Sequence, residues 1–199
     1  MDQHALEAIA GEWSRAGERV RLRCLSEADL PARLAMTNDP DVQIATVGTT
    51  VGQRTPYDIR SWFATLAADP HSRQIAMEDE SGRYIGDFDL HSIDPRQGEA
   101  WIEALLGDPE IRERGPEAVA AYLTDGLRTL LRYVFDEMGL ERVLVECLST
   151  NPVLEQALRA LGFVEDGQID HLNGVVSHVM VLTREHFGGR TQSRIDSSQ

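Results

Sequence analysis

From Val119 to Met138 apolar residues recur three and four apart without a break: Val119, Tyr122, Leu123, Leu127, Leu130, Leu131, Val134, Phe135 and Met138. A long helix with one buried stripe satisfies that spacing. Pro116 suits its first turn, where the missing N–H costs nothing, and Gly139 suits the position just past its end. Arg142–Leu148 follows as a continuous apolar run, the pattern of a strand covered on both faces. A stripe of this length needs a sheet to lie on, which constrains the chain to a mixed α/β domain.

The remaining elements arrange themselves around this pair. Arg19–Leu25 alternates as a strand. Ser26 caps a helix that ends near Asn38-Asp39-Pro40, and the Gly/Thr-rich stretch 41–53 reads as a loop. Thr55 and Pro56 open a second helix with Ile59, Trp62, Phe63 and Leu66 on its apolar side. Three strands, 73–77, 83–93 and 100–106, are separated by turns at Glu80-Ser81-Gly82 and Asp94-Pro95-Arg96-Gln97-Gly98. After the long helix and its strand come a helix over 152–161 and strands over 163–170 and 175–182, joined at Asn173-Gly174. The expected organisation is an arm or short helix in 1–18 (its helical part at Gln3–Ala10), one domain over 19–187, and a disordered tail over 188–199.

Composition narrows the partners. With 199 residues, 42% hydrophobic and 26% charged, the chain suits one globular domain. No apolar run is long enough to span a membrane, and the start Met1-Asp2-Gln3-His4 lacks a signal-peptide pattern, so a cytoplasmic protein is expected. The formal net charge is -14 and every basic residue is arginine, which speaks against nucleic acid. An acidic surface would draw a cationic substrate such as an amine; the plainer reading is that net acidity only serves solubility. Cys24 and Cys147 lie in apolar strands and read as reduced core thiols. His171 and His178 show no metal-ligand spacing, and no metal is expected. No Ser-His-Asp arrangement, nucleophile elbow or phosphate-binding P-loop is apparent.

Several short motifs, in order, resemble the GNAT superfamily of acyl-CoA-dependent N-acyltransferases. Tyr133-Val134-Phe135-Asp136-Glu137-Met138-Gly139-Leu140-Glu141-Arg142-Val143 looks like the family's long helix, turn and central strand. Asn151 with Leu161-Gly162-Phe163 is similar to its Asn and terminal Gly-Phe. Tyr84-Ile85-Gly86-Asp87 resembles its third strand, and Leu106-Gly107-Asp108-Pro109-Glu110 the approach to its cofactor loop. The match covers roughly 19–187 and is closest to the branch of ribosomal-protein N-terminal and aminoglycoside N-acetyltransferases. It implies a twisted, mostly antiparallel sheet of about seven strands with flanking helices. It also implies acetyl-CoA, or another acyl-CoA, as co-substrate, lying in a splay between the fourth and fifth strands. Backbone near Leu105 and Leu106 would meet the pantetheine, and Asn151 the CoA arm. A loop at the start of the long helix would hold the pyrophosphate on free amides. The resemblance leaves room for a homodimer.

Two departures stand out. The family loop is Gln/Arg-x-x-Gly-x-Gly/Ala; here Arg112, Glu113, Arg114, Gly115, Pro116, Glu117 and Ala118 keep the Arg and first Gly only. Pro116 removes a donor, and Glu113 and Glu117 place acids beside a phosphate, which Arg112 and Arg114 could offset. The family's acid, a Tyr seven residues after the Asn, is Leu158.

Glu103 is the first candidate for the base, since a buried strand carboxylate has a raised pKa; the alternative is a solvent-facing residue. Asp89 and His91 alternate with Asp87 on one face and could bind an amine or relay its proton, or else form the wet face of a strand. Tyr57, Trp62, Phe63 and Trp101 read as core or as walls of the acceptor cleft, with the 41–53 loop gating it. The expected function is transfer of an acyl group to a primary amine of a small molecule or a protein N-terminus. The alternative is a GNAT-fold binding or regulatory protein without transfer.

Overall fold

The computed structural model describes residues 13–172 and 174–188. The expected helix at Gln3–Ala10, Asn173 of the final turn, and the tail beyond Gly188 lie outside the described residues.

The chain begins with β1 (Ser14–Ala16) and β2 (Arg21–Cys24), a short antiparallel pair. A 3₁₀ turn over Glu27–Asp29 leads into α1 (Leu30–Thr37), then α2 (Pro40–Val47) and α3 (Pro56–Ala67). Next come β3 (Arg73–Glu78), β4 (Tyr84–Asp94) and β5 (Glu99–Leu106). The short α4 (Pro109–Glu113) precedes the long α5 (Pro116–Arg132). The chain closes with β6 (Arg142–Leu148), α6 (Pro152–Leu161), β7 (Val164–Asp170) and β8 (Val176–Thr183).

These strands form one eight-stranded sheet in the order β1-β2-β3-β4-β5-β6-β8-β7. Every neighbouring pair is antiparallel except β5 and β6. One strand more than expected is present because residues 14–16 pair with β2, so the sheet begins ahead of Arg19.

α5 starts at Pro116, as its stripe predicts, and Leu127, Leu130 and Leu131 are fully buried. Its last stretch, Tyr133–Glu137, widens into a π turn, with the Met138 amide donating to the Tyr133 carbonyl at 3.0 Å. The wider turn keeps Val134, Phe135 and Met138 inside. α5 and α6 cover one face of the sheet over a core that includes Phe88, Ile102, Val143, Val145, Cys147 and Leu158. Each such side chain stabilises the fold by roughly 1.5–3 kcal/mol relative to exposure. Across the sheet, Leu25, Met36, Val42, Ala76, Tyr84 and Leu105 form a smaller core, against which Trp62 and Phe63 pack.

Residues 41–47 are helical rather than loop. The Asp39 carboxylate accepts from the amides of Asp41 and Val42, Pro40 occupies the first turn, and Gly48 ends the helix at φ 76°. Composition over 48–53 hides a complete set of start and stop signals that bracket only eight residues. β6 also departs from expectation at one point. Leu144 and Leu148 are buried on the face opposite Val143 and Val145, but Glu146 between them is exposed.

Candidate functional site

β5 and β6 share three rungs, Glu99–Arg142, Ala100–Val143 and Trp101–Leu144, and then part. Beyond Trp101 the edge of β5 facing β6 has no ladder partner, so backbone groups from Ile102 to Leu106 border an open wedge. α2 crosses the end of that wedge. Met36 and Val42 pack so closely on Gly107, just past β5, that a Cβ there would lie 2.7 Å from Met36. At the other end, the Asn151 side-chain amide donates to the Ala45 carbonyl at 2.9 Å. The Asn151 Oδ1 accepts from the Leu154 amide at 3.1 Å and so also caps α6.

The face of the sheet under α1–α3 carries the polar residues of β4. Asp87 is only 3% exposed, not on a wet surface. Its Oδ2 accepts from Arg33 Nε at 2.9 Å and from the Tyr84 hydroxyl. The Arg33 guanidinium lies 3.5 Å from the centre of the Trp62 ring. Burial pushes the Asp87 pKa up, with Arg33 and Tyr84 opposing that shift, and it raises the Tyr84 phenol too. Asp89 is half-buried, and burial lifts its carboxyl to about 6 against the pull of the Gln74 amide. Asp89 lies directly across from Glu103, and His91 across from Trp101.

Glu103 does not have the burial expected of it. Its side chain is 75% exposed, with His91 Nε2 at 3.7 Å. The unpaired end of β5 leaves that side chain in solvent, and the less exposed carboxylates lie one strand away, at buried Asp87 and half-buried Asp89. Tyr57 is likewise solvent-facing, not a wall, at 73% exposed, whereas Trp101 is half-buried.

In the predicted cofactor loop, Gly115 sits at φ 97°, a conformation suited to glycine, and begins α5 without a side-chain cap. The Glu117 and Ala118 amides therefore lack a capping side chain. Glu113, Arg114 and Glu117 are exposed and Ala118 is half-buried. Arg112 points away from the helix start: its guanidinium meets Asp39 at 2.7 Å and Asp41 at 2.9 Å. Leu105 belongs to the smaller core and Leu106 packs against the larger one. Leu158 is fully buried. The Cys147 thiol is pushed up to about 12 by burial. Among the described residues no group of three or more His, Cys, Asp or Glu is placed to hold a metal ion. Among them, too, no helix is long and apolar enough to cross a membrane.

One cluster escaped sequence reasoning, which found no serine–histidine–acid arrangement. Ser177 Oγ donates to Glu146 Oε1 at 2.6 Å, and His171 Nε2 lies 2.9 Å from that oxygen and 2.8 Å from the hydroxyl. The available signal was a single charge in the middle of an apolar strand.

A GNAT acetyltransferase domain model matches residues 19–164. Among solved structures, spermidine N-acetyltransferase from Vibrio cholerae, in complex with CoA and spermine, is 18% identical with a TM-score of 0.72, covering 84% of this chain and 97% of that one. RimJ from Mycobacterium smegmatis, in complex with CoA-disulfide, is 17% identical with a TM-score of 0.72, covering 87% and 88%. A GNAT-family acetyltransferase from Bacillus anthracis is 19% identical with a TM-score of 0.69, covering 87% and 99%. At such identities the likeness is one of fold. No match is found among curated protein sequences. The family match covers most of the domain and coincides with the parted strands, so the chain belongs to the GNAT acetyltransferase family.

Proposed function

We propose that the protein moves an acyl group, in the first instance acetyl, from acyl-CoA to a primary amine. The observation that carries the reading is the wedge after the Trp101–Leu144 rung, bordered on one face by Asp89, His91 and Glu103. Unpaired backbone of β5 beside Leu105 and Leu106 suits the amides of a pantetheine arm. The free amides of Glu117 and Ala118 suit a pyrophosphate at a helix start, with Arg114 adding positive charge. Pro116, Glu113 and Glu117 weaken that end of the site.

The acceptor approaches as an ammonium drawn by the carboxylates. With its pKa near 6, Asp89 is mostly ionised at neutral pH and can take the nitrogen's proton, with His91 and Glu103 as relay to solvent. The neutral nitrogen attacks the thioester carbonyl, the C–S bond breaks, and the thiolate leaves. Leu158 offers it no proton, so the proton comes from the acylated nitrogen or water. Polyamines are the first acceptors to test, given the spermidine N-acetyltransferase neighbour. Acyl-CoA is an intracellular metabolite, so this reading carries a cytoplasmic setting.

A second reading, a GNAT-fold binding or regulatory protein, is favoured by the engagement of Arg112 with Asp39 and Asp41. Thermal unfolding with saturating acetyl-CoA separates the two, since a ligand that binds only the folded state raises the melting temperature. A rise, followed by thiol release with an amine, is expected. No shift would remove the transferase reading.

A further inference from the structure

Trp101 and Leu144 form the last rung before the wedge. Side chains alternate along a strand, so Glu103 and Glu146, each two residues beyond that rung, stand on the same face at opposite lips of the opening. Glu103 is held loosely: its side chain is 75% exposed, with His91 Nε2 at 3.7 Å and Asp89 across the ladder. Glu146 is held far more firmly. Its Oε1 accepts from Ser177, whose hydroxyl is fully buried, and lies 2.9 Å from His171 Nε2. Among the described residues Oε2 has no hydrogen-bond partner, and no arginine pairs with Glu146.

This is not a nucleophilic serine arrangement. The Ser177 hydroxyl is buried and bonded to the carboxylate, and one imidazole nitrogen faces both groups, leaving no acid to orient the other. The arrangement instead fixes an anion's rotamer through Oε1, on a side chain that stands at the β6 lip of the wedge. A carboxylate so held, with one oxygen unpartnered among the described residues, is preorganised to accept from an external ammonium.

We propose that Glu146 is the acceptor-binding residue that selects cationic amines, with Ser177 and His171 as its positioning residues. This rests on the reading of the wedge as the place where acceptor and thioester meet. The ammonium donates to Oε2 of Glu146 on the β6 lip, while Asp89, His91 and Glu103 on the β4–β5 side face the same amine. Electrostatic selection therefore comes from both lips, and proton removal from the β4–β5 side.

Calorimetric titration with 1,4-diaminobutane tests the assignment without requiring turnover. The parent protein binds the diamine; Glu146→Gln, which keeps shape and one acceptor, binds at least about tenfold more weakly with acetyl-CoA affinity unchanged. Ser177→Ala raises the acceptor KM about two- to fivefold and leaves kcat unchanged, the mark of lost ground-state positioning. Glu165→Gln serves as the control. Glu165 lies 3.1 Å from His178 on the same hairpin but on the opposite face, and its variant binds the diamine like the parent. The assignment is overturned if the parent fails to bind the diamine, if Glu146→Gln binds it equally well, or if Glu165→Gln weakens binding as much. Diamine binding that needs Glu146 without thiol release would sink the transferase reading alone. Transfer to amines that ignores Glu146→Gln would sink this one alone.

Discussion

Arg33 donates through Nε to Asp87 Oδ2 at 2.9 Å while its guanidinium lies against Trp62, so a buried carboxylate on β4 is neutralised from α1. Removing the cation alone strands the charge. Arg33→Ala is expected to lower stability by about 3–5 kcal/mol in urea unfolding. Arg33→Met combined with Asp87→Asn keeps an acceptor for the Tyr84 hydroxyl and removes both charges, so most of that loss should return. If the double variant is no more stable than Arg33→Ala, the pair is not what the carboxylate depends on.

Asp89 supplies a pH signature. Its carboxyl is raised from 3.8 to about 6, so the folded state holds the proton more tightly than the unfolded chain. Stability is therefore lost as pH rises between about 4 and 6, and the full penalty persists above. Asp89→Asn should exceed the parent by ~1–2 kcal/mol at pH 8 after solvent screening, with the difference vanishing below pH 4. Transfer by the parent should decline as pH drops through about 6, and the Asn variant should lack that step. Parallel stability curves for the two proteins would refute the assignment.

Asn151 does two jobs that can be separated. Asn151→Asp keeps the cap on α6 but loses the donor to Ala45. Asn151→Ala loses both and should cost about 1–2 kcal/mol. Amide exchange across α2 should speed up in both variants, while global stability falls clearly only in the alanine one.

Arg112 is held by Asp39 and Asp41, and Asp41 is the more exposed of the two partners. Asp41→Asn should loosen the guanidinium without removing the Asp39 cap of α2. If Arg112 can turn towards a phosphate, acetyl-CoA should bind about two- to fivefold more tightly in calorimetry. Unchanged or weaker binding would mark Arg112 as purely structural.

The parts of this protein legible in its sequence are those fixed by local periodicity and by residues at element ends. The stripe from Val119 to Met138, the start at Pro116 and the helix from Pro152 to Leu161 all depend on neighbours within a few positions. α2 was harder to read because its cap, proline and terminal glycine bracket only two turns, beside a Gly/Thr-rich stretch. Site chemistry was harder still. Whether Glu103 is buried depends on where β6 parts from β5, and the meeting of Glu146, His171 and Ser177 depends on the register of β6, β8 and the turn before β8. Those are distances across the sheet, and nothing in a local window encodes them.

The short helix α2 is tied on the β5 side through Arg112 and Gly107 and on the β6 side through Asn151. At about 1.5 Å of rise per residue, its eight residues span roughly 12 Å. It therefore acts as a spacer bar across two strands that no longer hold each other. Lengthening or shortening that bar by one turn would change the width of the gap, on which the proposed binding of an acyl-CoA depends, while every polar residue beneath it stayed in place.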